Sequence, residues 1–225
     1  MIKSIGGYTC LVLFIATLLG GYGCKHDTLK GRNEGKVIYE VTYPDTLLNS
    51  PMGAMLPKEM TMYFRDNKTN SELKMGMGMI VTRFMSDAND KTFATLLKGF
   101  GKKSAMVFDE EAVKKNFLDR VDLKLVETGK TKEIAGFVCR EVNVTDSTDN
   151  TYQVYYTEEV ALENPNWCTP FNDIEGLMME YTININNMVL NLIAKSIVFE
   201  KVDSLMFTVP DDYEIITDPK QFRPF

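Results

Sequence analysis

The stretch Met179-Glu180-Tyr181-Thr182-Ile183-Asn184-Ile185-Asn186 alternates apolar and polar side chains along its whole length. A period of two is typical of a β-strand with one buried and one wet face. The same alternation occurs at Val37 to Tyr43, Met60 to Phe64 and Tyr152 to Tyr156. Further candidate strands are 71–84, 92–97, 104–108, 122–127, 137–144, 193–202 and 213–216. The chain is therefore predicted to be mainly β.

The connections between these strands are short, as at Asp146 to Asn150, which favours antiparallel hairpins over crossover helices. One short helix is predicted over Asp109 to Leu118, because its acidic start suits a helix N-terminus. Another turn or two is expected between Pro165 and Gly176. We expect an α+β fold: a large curved antiparallel sheet, a half-barrel, with a few short helices covering the concave side. Side chains or a ligand must fill that apolar concavity.

The N-terminus has the pattern of an export signal. Lys3 supplies a positive start, Cys10 to Leu19 form an apolar run, and Gly21-Tyr22-Gly23-Cys24 follow. A cysteine directly after small residues resembles the lipobox of bacterial lipoproteins, although Gly21 stands where Leu is usual. That resemblance implies a signal peptide over 1–23 and acylation of Cys24.

Two alternatives to the lipobox stay open. The first is an uncleaved membrane anchor, since Ser4 to Gly23 carries no charge and is close to the length that spans a bilayer. The second is an ordinary secretory signal in which Cys24 is incidental. Residues 24–35 are predicted to be a polar tether of about 35 Å when extended, and 36–225 a single β domain. We expect a membrane-anchored lipoprotein of the cell envelope, at the outer membrane, on its periplasmic or surface side.

Charge and composition limit the functions that remain. The net charge is −6, which argues against a nucleic-acid partner or an anionic surface. The single histidine, His26, lies in the predicted tether, so the domain lacks the imidazole of Ser-His-Asp and Cys-His catalysis and of common zinc sites. We therefore expect a non-enzymatic protein with no catalytic residue, no metal site and no cofactor.

Two cysteines, Cys139 and Cys168, remain in the predicted domain. An even pair in an oxidising compartment favours a disulfide. The alternative is two buried thiols that act as small hydrophobic side chains.

Methionine is unusually frequent, with 14 in the chain, and Met75-Gly76-Met77-Gly78-Met79 places three of them at strand spacing. In a strand they would project from one face. Flexible apolar side chains can pack around varied ligands, so we expect them to line the cavity. The expected lining residues are Met60, Met62, Phe64, Met75, Met77, Met79, Tyr181 and Ile183. The alternative use is Cu(I) binding, because thioethers are soft ligands.

Four phrases resemble a family of uncharacterised exported bacterial lipoproteins. They are Gly35-Lys36-Val37-Ile38-Tyr39, the stretch from Lys130 to Cys139 with Ile134-Ala135-Gly136-Phe137, Tyr155-Tyr156-Thr157-Glu158-Glu159, and Phe171 to Gly176. The resemblance implies a domain of unknown function with a half-barrel like that of the LolA/LolB lipoprotein carriers, which hold acyl chains in their concavity. No binding motif of those carriers is matched residue by residue.

The sequence thus predicts an envelope lipoprotein that binds an apolar or lipid-like ligand, or a lipidated partner, in the concavity. The expected partners are an apolar small molecule or lipid and, through the anchor, the membrane, with no nucleic acid and an unidentified protein partner. The alternatives are a structural or interaction module whose core is already filled, and a methionine-rich Cu(I)-binding envelope protein.

Overall fold

A computed structural model describes residues 31–119, 121–185, 188–218 and 222 of the chain. The strands are β1 Glu34–Thr42, β2 Glu59–Arg65, β3 Lys68–Met75, β4 Ile80–Asp87, β5 Thr92–Gly99, β6 Lys102–Phe108, β7 Lys124–Ile134, β8 Phe137–Thr145, β9 Thr151–Thr157, β10 Leu177–Ile185, β11 Met188–Val198 and β12 Glu214–Ile215. The helices are α1 Asp45–Leu48 and α2 Glu110–Val113, with 3-10 turns at Gly53–Met55 and Ser204–Phe207 and a π-helical turn at Lys114–Leu118.

All the strands belong to one open 12-stranded sheet, in the order β12-β6-β5-β4-β3-β2-β1-β11-β10-β9-β8-β7. Neighbouring strands pair antiparallel, except that the short β12 pairs parallel with β6. The predicted fold class is confirmed: the protein is mainly β, with a large antiparallel sheet and few short helices. The strand predicted over 71–84 is wrong, because β3 ends at Met75 and β4 begins at Ile80.

One face of the sheet, here called the inner face, carries the main core. On β1 it presents Val37, Tyr39 and Val41, which are buried, whereas Lys36 and Glu40 point the other way and form ion pairs. This is the period of two that the sequence shows. β1 begins at Glu34, inside the segment predicted to be the tether.

The inner face is concave. The Phe199 ring lies 6.1 Å from the Phe64 ring and 6.2 Å from the Phe137 ring, measured between centroids. Phe64 is on β2 and Phe137 on β8, and four strands lie between these two. In a flat sheet that separation is about 24 Å, so the sheet must curl to bring both rings against Phe199.

The connections alternate between two ends of the sheet, because the strands run up and down. At the end here called the base, the chain enters through Arg32, and the β2–β3 turn hydrogen-bonds to it from Asp66 N–H to the Asn33 carbonyl at 3.1 Å. The β1–β2, β3–β4 and β5–β6 connections lie at the opposite end. The base therefore holds the start of the domain, and the far end holds three successive hairpin connections.

Candidate functional site

Five of the predicted cavity-lining residues do lie together in the interior. Met60, Met62 and Phe64 on β2 and Tyr181 on β10 are buried in the main core, and Ile183 packs against it partly buried. The Tyr181 ring contacts the Tyr39 ring edge to face, with centroids 5.8 Å apart. The alternation in the sequence thus identified the inner face correctly.

The segment between β9 and β10, Glu158 to Gly176, fills the concavity, and we call it the cover segment. It contains turns but no described helix or strand. Its apolar side chains Val160, Leu162, Phe171 and Ile174 are buried in the same core cluster as the inner face. The expected helical cover is therefore largely an irregular segment; α2 and the π-helical turn cover only the part of the sheet near Phe93 and Phe108.

Buried polar groups of the cover segment are hydrogen-bonded. The Asn166 side-chain amide donates to the carbonyls of Ile174, at 2.8 Å, and Gly176, at 2.9 Å, which closes the segment on itself. The Trp167 indole N–H donates to the Ser86 hydroxyl on β4 at 2.7 Å. An unpaired buried polar group costs about 1–3 kcal/mol, so these bonds hold an irregular segment in one conformation.

Arg32, where the chain enters the base, fastens the start of the cover segment. Its guanidinium Nη1 donates to the carbonyl and the carboxylate of Glu159, at 3.1 and 3.3 Å, and its carbonyl accepts from Ala161 N–H at 3.1 Å. The guanidinium also lies 5.7 Å from the ring centroids of both Phe137 and Phe199. Arg32 therefore links the start of the domain both to the cover segment and to aromatic rings packed against the inner face.

Displacing the cover segment would be costly. Burying one large apolar side chain contributes about 1.5–3 kcal/mol, and Val160, Leu162, Phe171 and Ile174 are all at least nine-tenths buried. Their combined burial is of the same order as the net stability of a typical domain, about 5–15 kcal/mol. A ligand could enter the concavity only by replacing most of these contacts.

The expectation that Met75, Met77 and Met79 line the cavity from one strand face is wrong. Residues 76–79 form the β3–β4 turn, in which Gly76, Met77 and Gly78 have positive φ angles of 58°, 55° and 87°. Met75 is half-buried, while Met77 is fully exposed and Met79 is 53% exposed. Loss of the shared strand face also removes the geometry on which the Cu(I) alternative depended.

This turn belongs to an exposed apolar surface at the far end of the sheet. The Gly76 N–H donates to the Met55 carbonyl at 2.9 Å, which ties the turn to the β1–β2 connection. The β5–β6 turn is adjacent, because Ile80 pairs with Gly99. We call the exposed side chains of these three connections the methionine tip: Leu48, Met52, Met77, Met79 and Phe100. Exposed apolar side chains gathered at one end of a sheet are a candidate interaction site.

Cys139 and Cys168 are free, buried thiols in separate core clusters. Cys139 packs in the main core, and Cys168 lies beside Trp167 with its Sγ 3.5 Å from the Ser86 hydroxyl. Of the two possibilities that the sequence leaves open, a disulfide or two small buried thiols, the structure has the second. Burial raises the pKa of the Cys139 thiol to about 11 and also raises the pKa of Cys168, which makes both poor nucleophiles.

Two surface clefts are lined by polar groups. The larger, about 590 Å³, lies on the outer face and is lined by Glu40, Lys58, Glu59, Thr61, Glu72, Lys74 and Lys195. Its charges largely pair with one another, as in Lys195 with Glu40 and Lys74 with Glu72. The smaller, about 300 Å³, lies beside Trp167 between the cover segment and α2. Neither cleft has a continuous apolar wall.

The remaining predictions concern other parts of the chain. Cys24, the predicted lipidation site, and the signal peptide over 1–23 lie outside the described residues. Within the described ranges, no helix is both long and apolar enough to cross a membrane. In the same ranges, no group of three His, Cys, Asp or Glu side chains could hold a metal ion.

Sequence reasoning missed two features. The cover segment has no apolar period to find, but its Pro165, Pro170 and Gly176 do indicate irregular chain. The second feature is the β3–β4 turn, which the sequence predicts as part of a strand because Met and Gly alternate there; its two glycines are the available sign of a turn.

Comparison with solved structures found the crystal structure of MucB, at a TM-score of 0.30 and 10% sequence identity, covering 87% of this chain. The alignment spans 66% of the MucB chain. The likeness to LolA and LolB in particular stays a prediction. No curated protein matched this chain in the sequence comparison.

A family described only as a domain of unknown function, DUF4412, matches residues 48–164. That range includes most of the β1–β2 connection, the strands from β2 to β9 and the first part of the cover segment. It makes up just over half of the 225-residue chain. The chain therefore belongs to the DUF4412 family.

Proposed function

We propose that this protein is a non-enzymatic interaction module of the cell envelope, tethered by an acylated Cys24, which binds partners at its surface and not in its interior. The observation that carries the proposal is the cover segment: Val160, Leu162, Phe171 and Ile174 occupy the concavity that a ligand would need. The exposed apolar side chains of the methionine tip are the complementary feature, because five of the exposed large apolar side chains come from connections at one end of the sheet.

The rest of the chain is consistent with this role. The only histidine is His26, before the domain, and both domain thiols have raised pKa values. The methionine tip and the base are at opposite ends of β1, so attachment through the N-terminus does not cover the tip.

Mass spectrometry under native conditions tests the closed interior. The chain is purified from membranes in mild detergent, and the mass of the intact folded protein is compared with that of the denatured protein. We expect both to give the same mass, that of the polypeptide with its covalent modifications. A non-covalent apolar molecule bound in stoichiometric amount and released on denaturation would contradict the proposal.

A second candidate function is carriage of an apolar ligand or lipidated partner in the concavity after the cover segment swings out. It is favoured by the lack of regular secondary structure in Glu158 to Gly176, since such segments can move without breaking a strand ladder. Met60, Met62, Phe64, Tyr181 and Ile183 would then contact the ligand. The same mass measurement separates the two functions.

A further inference from the structure

We propose that the methionine tip docks on an anionic lipid surface. This deepens the proposed function and rests on it, because it names the surface that the exposed apolar residues bind. The tip consists of Leu48, Met52, Met77, Met79 and Phe100, which come from three hairpin connections at one end of the sheet.

The shape of the tip favours lipid over a protein partner. Met77 is fully exposed and sits at the crest of the β3–β4 turn, and Phe100 is 66% exposed in the neighbouring β5–β6 turn. A stable protein interface uses about 20–30 residues on each side, and the tip offers far fewer. Protruding apolar side chains need no matched pocket to be buried in a bilayer, where they remove apolar area from water directly.

The net charge of −6 argues against a general attraction of the chain to anionic surfaces, but the charges beside the tip are locally basic. Lys98 and Lys102 flank Phe100 in the sequence Lys98-Gly99-Phe100-Gly101-Lys102, and both are exposed. Neither forms a described ion pair within residues 31–119, 121–185 and 188–218, and the same is true of Lys58 near the β1–β2 connection. Long lysine side chains can keep the ammonium group at the headgroups while their stems lie along apolar surface. Each such lysine contributes about 1 kcal/mol to binding of anionic lipid.

The position of the tether is compatible with this contact. β1 has 9 residues and is about 30 Å long, so the methionine tip lies about that far from Arg32 at the base. The chain between Cys24 and Arg32 reaches about 26–29 Å when extended. A domain held by an acyl chain can therefore touch the same membrane with its tip when it tilts, and the tip supplies a second membrane contact beside the anchor.

Sedimentation with lipid vesicles tests this inference without the anchor. The chain from residue 24 retains every described element, and Cys24→Ser removes the acylation site. Vesicles of phosphatidylcholine alone are compared with vesicles that contain phosphatidylglycerol as well. We expect binding to the anionic vesicles that weakens as salt is added.

Two double variants probe the apolar and the basic parts. Met77→Ser with Phe100→Ser should weaken binding to anionic vesicles by at least about tenfold, because two large side chains no longer leave water. Lys98→Gln with Lys102→Gln should weaken it by about fivefold for each lysine and leave binding to neutral vesicles unchanged.

Matched controls change the same chemistry elsewhere. Leu205 and Val138 are exposed at 72% and 58% away from the tip, and Leu205→Ser with Val138→Ser should bind as the parent chain does. Lys114→Gln with Lys115→Gln, in the π-helical turn, controls for charge. The four control positions are exposed. Circular dichroism checks that each tip variant and each control variant folds.

Absence of parent-chain binding to anionic vesicles would overturn the inference and assign the tip to a protein partner. Equal loss of binding in the tip and control variants would overturn it too. Neither result bears on whether the interior is closed, which the mass measurement decides separately.

Discussion

The Tyr39 hydroxyl on β1 donates a hydrogen bond to the Met178 carbonyl on β10 at 2.9 Å, and both residues are buried. β11 lies between the two strands, so the tyrosine crosses the inner face of its neighbour to reach the acceptor. The acceptor sits where the register of β10 against β9 shifts, between Met178 and Glu180. The Tyr39 side chain thus supplies a hydrogen-bond donor to a backbone carbonyl at an irregular point of the strand ladder. It does so inside the concavity, where a ligand would otherwise lie.

Replacing Tyr39 by Phe should therefore lower the free energy of unfolding by about 1–3 kcal/mol, because it leaves a buried carbonyl without this donor. Urea denaturation measures the difference. Tyr63→Phe, on the outer face of β2, is the control and should change stability by less than about 0.5 kcal/mol. Equal effects of the two variants would show that the interior bond does not hold the sheet.

Arg32→Gln should loosen the base of the cover segment while it changes global stability little. The ion pair with Glu159 is about 36–43% exposed, so its contribution is at most about 1 kcal/mol, with a similar contribution from the aromatic contacts. Hydrogen exchange should become faster at the Ala161 and Val138 amides, which donate to the Arg32 carbonyl and the Glu159 carboxylate.

Arg140→Gln provides a matched control for the Arg32 variant. Arg140 pairs with Glu158, the first residue of the cover segment, at 2.7 Å, and also interacts with the Tyr156 hydroxyl, but unlike Arg32 its guanidinium is not stacked over an aromatic ring among the described contacts. Exchange at Ala161 should stay as in the parent chain. If both variants speed exchange at Ala161 equally, the loss of one positive charge explains the effect, and the specific contacts of Arg32 do not hold the cover segment.

The sequence predicted the strands well where one face is wet. β2 alternates throughout between buried and more exposed residues because its outer face meets solvent. The predicted inner residues Val154 and Tyr156 of β9 and Tyr181 of β10 are core as well, although neighbouring residues on these two strands are also buried. The sequence does not predict the cover segment, because its buried residues Val160, Leu162, Phe171 and Ile174 follow no period. Which residues of the segment become buried depends on the shape of the completed sheet. At Met75 to Met79 the pattern itself misled, since a turn and a strand can share the same alternation.

Glu72 should make stability depend on pH in the acid range. Burial alone would raise the pKa of this carboxyl, but hydrogen bonds and charges of Lys74 and Arg83, at 2.8 and 2.7 Å, outweigh it and hold the pKa below 4.5. A carboxyl with a lowered pKa stabilises the fold above its unfolded value, and that stabilisation is lost as the pH falls through the folded value.

Glu72→Gln should therefore be less stable than the parent chain at neutral pH, by about 2 kcal/mol, and should lose less stability on acidification below about pH 4.5. Denaturation at several pH values measures both effects. Glu59→Gln, exposed on the neighbouring strand, is the control and should follow the parent curve. A Glu72→Gln curve parallel to that of the parent chain would contradict the assignment.

Both domain thiols should resist alkylation until the chain unfolds. In the chain from residue 24 with Cys24→Ser, Cys139 and Cys168 are the remaining thiols, and burial raises the pKa of both. Iodoacetamide at about pH 8 should label neither in the native protein and both in urea, as counted by mass spectrometry. If the two cysteines are labelled in urea only after a reducing agent is added, they form a disulfide. That result would contradict their positions as free thiols in separate core clusters.

The fluorescence of Trp167 tests the closed interior most directly. It is the only tryptophan of the chain, it belongs to the cover segment, and it is 7% exposed. With the cover segment in place, its emission should be blue-shifted, protected from acrylamide, and unchanged by saturating fatty acid or lysophospholipid. A saturable red shift with increased quenching on adding such a ligand would show that the segment leaves the concavity, and would contradict the account.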